Sequence, residues 1–177
     1  MGNRLPFLIP LALLALTACQ PAAPAVPTPV AAPLAGAVRL PSTTLTTLAG
    51  DPAEIAGVAH GRVALVSLWA TWCDACQKEM DALNRLDANA KTGADAVVFG
   101  VAVGEDRAKV ADFAHRRGLQ YVQLVDPDFS FADAIGQRRL PATLVIDRAG
   151  RIVFRGEAID GASLDALRRA IASAAAP

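Results

Sequence analysis

From Val63 onward the chain alternates between short, densely apolar runs and longer stretches whose apolar positions recur every three or four residues. The first pattern predicts strands buried on both faces, the second amphipathic helices. Val63–Trp69, reading VALVSLW, is a strand of the buried kind. Over residues 76–88, Met80, Leu83 and Leu86 recur at a spacing of three with charges between them, which predicts a helix. Ala96–Val103 is a second buried strand. Residues 106–117 predict a helix that opens with acids, suiting the positive end of the helix dipole, and closes with Arg116, Arg117 and Gly118. Residues 121–125 read as a third strand and 129–135 as a short helix. Ala142–Ile146 and residues 152–155 flank Asp147-Arg148-Ala149-Gly150, a hairpin signal, and Ser163 begins the last helix.

The order is therefore β-α-β-α-β-α-β-β-α, preceded by a short hairpin expected within residues 38–50. Strand-helix alternation implies an α/β domain whose central sheet is mostly parallel, with helices on both faces, and the late hairpin implies an antiparallel edge. One such domain is expected over residues 38–177.

The amino-terminal residues follow another pattern. Arg4 precedes an uncharged stretch of 14 residues, too short for a membrane span of roughly 20 and interrupted by Pro6 and Pro10, but suited to a signal-peptide core. It ends Leu16-Thr17-Ala18-Cys19, which resembles the bacterial lipobox and implies a signal peptide over residues 1–18 and a lipid on Cys19. The alternative is an ordinary cleavage near Ala18 that leaves Cys19 a free thiol. Residues 19–37 carry Pro21, Pro24, Pro27, Pro29 and Pro33 among alanines, an extended tether rather than a folded unit. A lipid on Cys19 would make the membrane a partner and place the domain in the periplasm, anchored to the outer or the inner membrane, with Gln20 in place of aspartate favouring the outer.

Charge narrows the function. Lys+Arg and Asp+Glu both count 17, without the basic excess that a nucleic-acid partner requires. The hydrophobic fraction of 53% excludes disorder throughout, and the absence of long apolar runs excludes a polytopic membrane protein.

The chemistry lies in Cys73-Asp74-Ala75-Cys76, where a buried strand gives way to a helix. Unpaired amides and the dipole at a helix start favour an anion, so a Cys73 thiolate is stabilised there. Cys76, one turn on and on the same face, is within disulfide reach. Cys73 is the attacking thiol and Cys76 the one that resolves a mixed disulfide, with Trp69 and Trp72 expected to shield the pair. A structural disulfide is a competing reading, although so small a loop makes a poor staple. Half of a metal site is another, but only His60 and His115 exist and both are isolated, so no metal is expected. The cysteine pair itself serves as the redox group, and no bound cofactor is expected.

Val66 to Cys76, ending Trp72-Cys73-Asp74-Ala75-Cys76, resembles the active-site strand and turn of thioredoxin-like proteins. Leu140-Pro141-Ala142-Thr143-Leu144-Val145-Ile146-Asp147 is similar to that fold's cis-proline loop. The extra strand-helix insertion before Asp126-Pro127-Asp128 points to the TlpA/ResA branch, membrane-tethered extracytoplasmic thiol–disulfide oxidoreductases, several of which serve cytochrome c maturation. The resemblance implies a thioredoxin-like fold, Pro141 as the cis-proline facing the disulfide, and Leu140 backbone groups that pair with a substrate strand. Glu79 matches an acid that the branch carries three positions after the second cysteine; it either tunes thiol protonation or contacts substrate, or is an ordinary exposed helix glutamate. Ser67 replaces a buried aspartate and Ala75 a common proline, while Asp74 beside Cys73 opposes thiolate formation.

The expected activity is reduction of substrate-protein disulfides, supplied by a membrane thiol carrier, with a monomer as the default. An oxidase or isomerase is the alternative within the enzyme class. A non-catalytic binding module or copper chaperone on the same scaffold is the alternative outside it.

Overall fold

A computed structural model of the chain describes residues 38–92 and 96–176. The expected signal peptide, tether and lipidated Cys19 lie outside the described residues. The elements are β1 (Val38–Arg39), β2 (Leu45–Thr47), β3 (Pro52–Ala53), α1 (Ile55–Ala59), β4 (Val63–Trp69), α2 (Asp74–Thr92), β5 (Ala96–Val103), α3 (Arg107–Arg117), β6 (Val122–Asp126), α4 (Ser130–Ala134), β7 (Ala142–Ile146), β8 (Arg151–Gly156) and α5 (Gly161–Ala175).

The strands form one sheet in the order β1-β8-β7-β4-β5-β6-β2-β3. Only the central β4-β5 and β5-β6 ladders are parallel. The β4-β7, β7-β8, β1-β8, β2-β6 and β2-β3 ladders are antiparallel, so the sheet is mixed rather than mostly parallel. The hairpin expected within residues 38–50 is corrected as well. β1 pairs with β8 at one edge of the sheet, whereas β2 pairs with β6 and β3 at the other. Strands of two or three residues carry too little pattern to declare a partner; the exposed edges of the assembled sheet select them.

The alternation inside β4 and β5 divides the core into two layers. Ala64, Val66 and Leu68, with Val97, Phe99 and Val101, pack with Ile55 and Ala59 of α1 and Phe131 and Ala132 of α4. Val63, Leu65, Ala96 and Val98 face Leu83 of α2 and Ala166 and Leu167 of α5. Trp69 and Ala102 continue that second side toward Met80 of α2 and Val110 of α3. Helices therefore cover both faces, and every residue of β4 and β5 is buried.

The ends of α3 and the start of α5 follow their chemical signals. Asp106 caps α3, accepting from the amides of Ala108 and Lys109 at 2.8 and 3.2 Å, and Gly118 closes it at φ 62°. Asp160 and Ser163 form a reciprocal capping box at the start of α5. Because β4, β5 and β6 run parallel while β7 runs opposite, the loops after the first three and before the fourth meet at one end of the sheet. That end carries the cysteines.

Candidate active site

β4 ends at Trp69, and the chain reverses through residues 70–73, closed by the Cys73 N–H donating to the Ala70 carbonyl at 3.1 Å. The Cys73 carbonyl then accepts from the Gln77 amide at 3.1 Å, the first helical bond of α2. Cys73 thus stands at the cap of a 19-residue helix and Cys76 in its first turn. The two are joined as a disulfide with Cα atoms 5.3 Å apart, and the Cys76 N–H donates to Cys73 Sγ at 3.2 Å. A donor aimed at the Cys73 sulfur stabilises a thiolate there once the bond opens.

Cys73 and Cys76 are both buried, at 6% and 2% exposure, in a cluster with Trp69, Ala70, Met80 and Ala102. Trp69 is buried in the same cluster as the pair. Trp72 does not cover the pair, being 67% exposed, and stands beside Cys73 as an apolar surface open to a partner. Asp74 and Ala75 are also exposed, so solvent screens the Asp74 charge from the sulfur.

The Leu140–Pro141 peptide bond is cis. Pro141 is buried immediately before β7, whose Ala142 pairs with Leu68 of β4, and half-buried Leu140 packs against the cluster that holds both cysteines. The two sequence motifs, 64 residues apart, therefore face each other across the β4-β7 ladder.

Glu79 is not an exposed helix glutamate. It is 2% exposed, three residues after Cys76 on the same side of α2, and its Oε1 accepts from the Ile159 amide at 2.6 Å. Burial pushes its carboxyl up to about 7; the Ile159 bond pulls the other way and Asp160 adds repulsion. A group with that value gains and loses a proton near neutral pH. Ser67, at the position named above as lacking an aspartate, is itself buried in β4.

Three further residues shape the turn without having been singled out from sequence. Thr71 is held by Glu105 and Gln77, and Glu105 is buried although it sits in the β5-α3 connection. No local pattern marks an acid in a loop as buried; only the neighbouring turn explains it. Among the described residues no three His, Cys, Asp or Glu side chains converge as metal ligands, and His60 and His115 are exposed.

Known proteins resemble this chain in sequence and fold. Residues 35–169 match the family described as Redoxin. The chain is 31% identical over 113 residues to the thiol-disulfide oxidoreductase ResA of Geobacillus kaustophilus, covering 63% of each protein. It is 31% identical over 107 residues to the thiol:disulfide interchange protein DsbE of Yersinia pestis, covering 60% of this chain and 54% of that one. The chain thus spans between half and two thirds of the length of the curated relatives it matches. A secreted thiol-disulfide isomerase from Corynebacterium glutamicum superposes with a TM-score of 0.66 at 24% identity, over 76% of this chain and 84% of that one, which shows a shared thioredoxin-like fold.

Proposed function

The chain belongs to the redoxin family, and on that premise we propose that it is an extracytoplasmic, lipid-anchored thiol–disulfide oxidoreductase that reduces disulfides in substrate proteins. The observation that carries the proposal is the amide donor on Cys73 Sγ at the start of α2, opposite the cis-proline loop. The resemblance to ResA and DsbE proteins supports the reading. No bound cofactor takes part; the electrons reside in the Cys73–Cys76 pair.

The reduced protein attacks through the Cys73 thiolate, forming a mixed disulfide and releasing one substrate thiolate, which takes a proton from solvent. Cys76 must then lose its proton before it attacks Cys73 Sγ and releases the second substrate thiolate. Glu79, one turn beyond Cys76 with a carboxyl value of about 7, accepts that proton. The reformed disulfide needs two electrons from a membrane thiol carrier. Trp72 offers an apolar contact to the substrate and the Leu140 backbone an edge for its strand. A lipid on Cys19 holds the domain at the membrane, and cytochrome c precursors are the clients to test first.

The full chain with Cys76→Ser is expected to accumulate mixed disulfides through Cys73 in cells, and Cys19→Ser to leave the membrane fraction. The reduction potential decides direction: a value near or below about −270 mV supports a reductant, whereas one toward about −120 mV overturns that direction in favour of disulfide donation.

A further inference from the structure

Thr71 is gripped from three sides. Its N–H donates to Glu105 Oε2 at 2.5 Å and its hydroxyl to Glu105 Oε1 at 2.6 Å, while its carbonyl accepts from Gln77 Nε2 at 3.0 Å. Thr71 is the first inner residue of the 70–73 turn that delivers Trp72 and Cys73. The grip on one side comes from β5-α3 and on the other from α2, so the turn is clamped between two elements distant in sequence.

The Glu105 side chain is 3% exposed. Lys109, one turn into α3, donates to its Oε1 at 2.7 Å. Burial pushes the Glu105 carboxyl up, but the bonds from Lys109 and Thr71 outweigh it and hold the group below its ordinary value. The carboxylate is therefore a charged acceptor with donors on both oxygens.

The loop bearing Glu105 is braced in turn. Gly104 stands at φ 69° and donates its N–H to the Asp126 carbonyl at 2.8 Å. A Cβ at Gly104 would fall within the ring of Phe129, whose own backbone is left-handed at φ 63° although it is not glycine. Asp126 also accepts from Ser130 Oγ and from the Phe131 and Ala132 amides, anchoring the start of α4 to the end of β6. Contacts thus run from the end of β6 through Gly104 and Glu105 to the turn before Cys73.

We infer that Glu105 is a positioning residue for the cysteine pair: by clamping Thr71 it fixes the turn that holds Cys73 Sγ against the Cys76 amide. The inference rests on the thiol–disulfide reading, because only there does the placement of one sulfur matter. A thiolate gains from a helix amide over a short range and within a narrow angle, so loosening the turn raises the Cys73 thiol value and slows its attack. The charge of Glu105 alone predicts the opposite, since deleting a nearby anion favours the thiolate.

The test is the alkylation rate of Cys73, read by peptide mapping of the reduced full chain across pH, for Glu105→Leu, Glu105→Gln and Thr71→Val. Glu105→Leu is expected to slow alkylation at pH 7 about tenfold and to raise the pH at which Cys73 titrates by about one unit. Glu105→Gln, which keeps an acceptor for Thr71, is expected to recover most of the rate. Thr71→Val, which deletes only the hydroxyl bond, is expected to fall between the two and keeps the test decisive if Glu105→Leu does not fold. An unchanged or faster rate in folded Glu105→Leu, or in Thr71→Val, overturns the inference. Trapping by Cys76→Ser is scored separately: slowed alkylation without any trapped substrate would sustain the clamp and sink the proposed function.

Discussion

The buried Glu79 makes a quantitative prediction about stability. In the unfolded chain its carboxyl titrates near the ordinary value of about 4.5; in the fold, burial with Asp160 nearby raises that to about 7. The folded state therefore binds more protons than the unfolded state between those two values, and stability falls as pH rises through that window. Below pH 4.5 both states are protonated and nothing changes; above about 7 both are ionised and the loss is complete. At about 1.4 kcal/mol for each pH unit, the window from 4.5 to about 7 sets an upper limit of about 3 kcal/mol, reduced by whatever solvent reaches the carboxylate. That is a substantial part of a domain's usual stability of about 5–15 kcal/mol. Glu79→Gln keeps an oxygen for the Ile159 amide and removes the titration. Guanidinium unfolding of both proteins, with the disulfide intact, should be compared at intervals from pH 4 to 8.5. Glu105 and Asp147, whose carboxyls are held low, titrate in both proteins and cancel from the difference. The variant should gain on the parent steadily between pH 4.5 and 7 and then run parallel to it. A difference that stays flat across that range would show that Glu79 is not held neutral by its surroundings, and would remove it as the proton acceptor for Cys76.

The same substitution bears on kinetics: Glu79→Gln should leave the first attack by Cys73 nearly unchanged and slow mixed-disulfide resolution at pH 7 by about 10²-fold, measured by quenched-flow with a model disulfide. Gly100 lies in the middle of β5, where an added Cβ would run into Gln123 Oε1 and meet Trp69 Nε1 at 2.8 Å and Tyr121 Cε2 at 2.9 Å; Gly100→Ala should lower stability by about 1–3 kcal/mol in denaturant titration. Gly57, exposed in α1, has nothing within 4 Å of that position, so Gly57→Ala should raise stability by about 0.5–1 kcal/mol in the same assay. Asp126→Ala removes the acceptor for Ser130, Phe131 and Ala132 and should cost about 1–3 kcal/mol, read as a lower unfolding midpoint.

What the sequence by itself determined was the part governed by local period and local chemistry. Val63–Trp69, Ala96–Val103 and Ala142–Ile146 form as strands with the bounds their apolar runs imply, because a strand buried on both faces is apolar at nearly every position. Asp106 and Gly118 bracket α3 because a cap is a bond between near neighbours. Cys73 and Cys76 declare themselves because three residues on a helix bring two sulfurs together without help from the rest of the chain. The tertiary structure decided whatever depends on which surface meets which. β1 and β2 take opposite sides of the sheet through partners that no two- or three-residue pattern encodes, and β4 meets β7 antiparallel although 72 residues separate their ends. Glu79 reads equally as a redox-tuning acid or a surface acid until Ile159 and the segment before α5 close over it and withdraw its water. Trp72 reads as a cover until the turn leaves its indole in solvent. Glu105 reads as one more charge at a helix start until β5 brings it against Thr71, 34 residues away, since burial and charge pairing are properties of the packed chain and not of its local order.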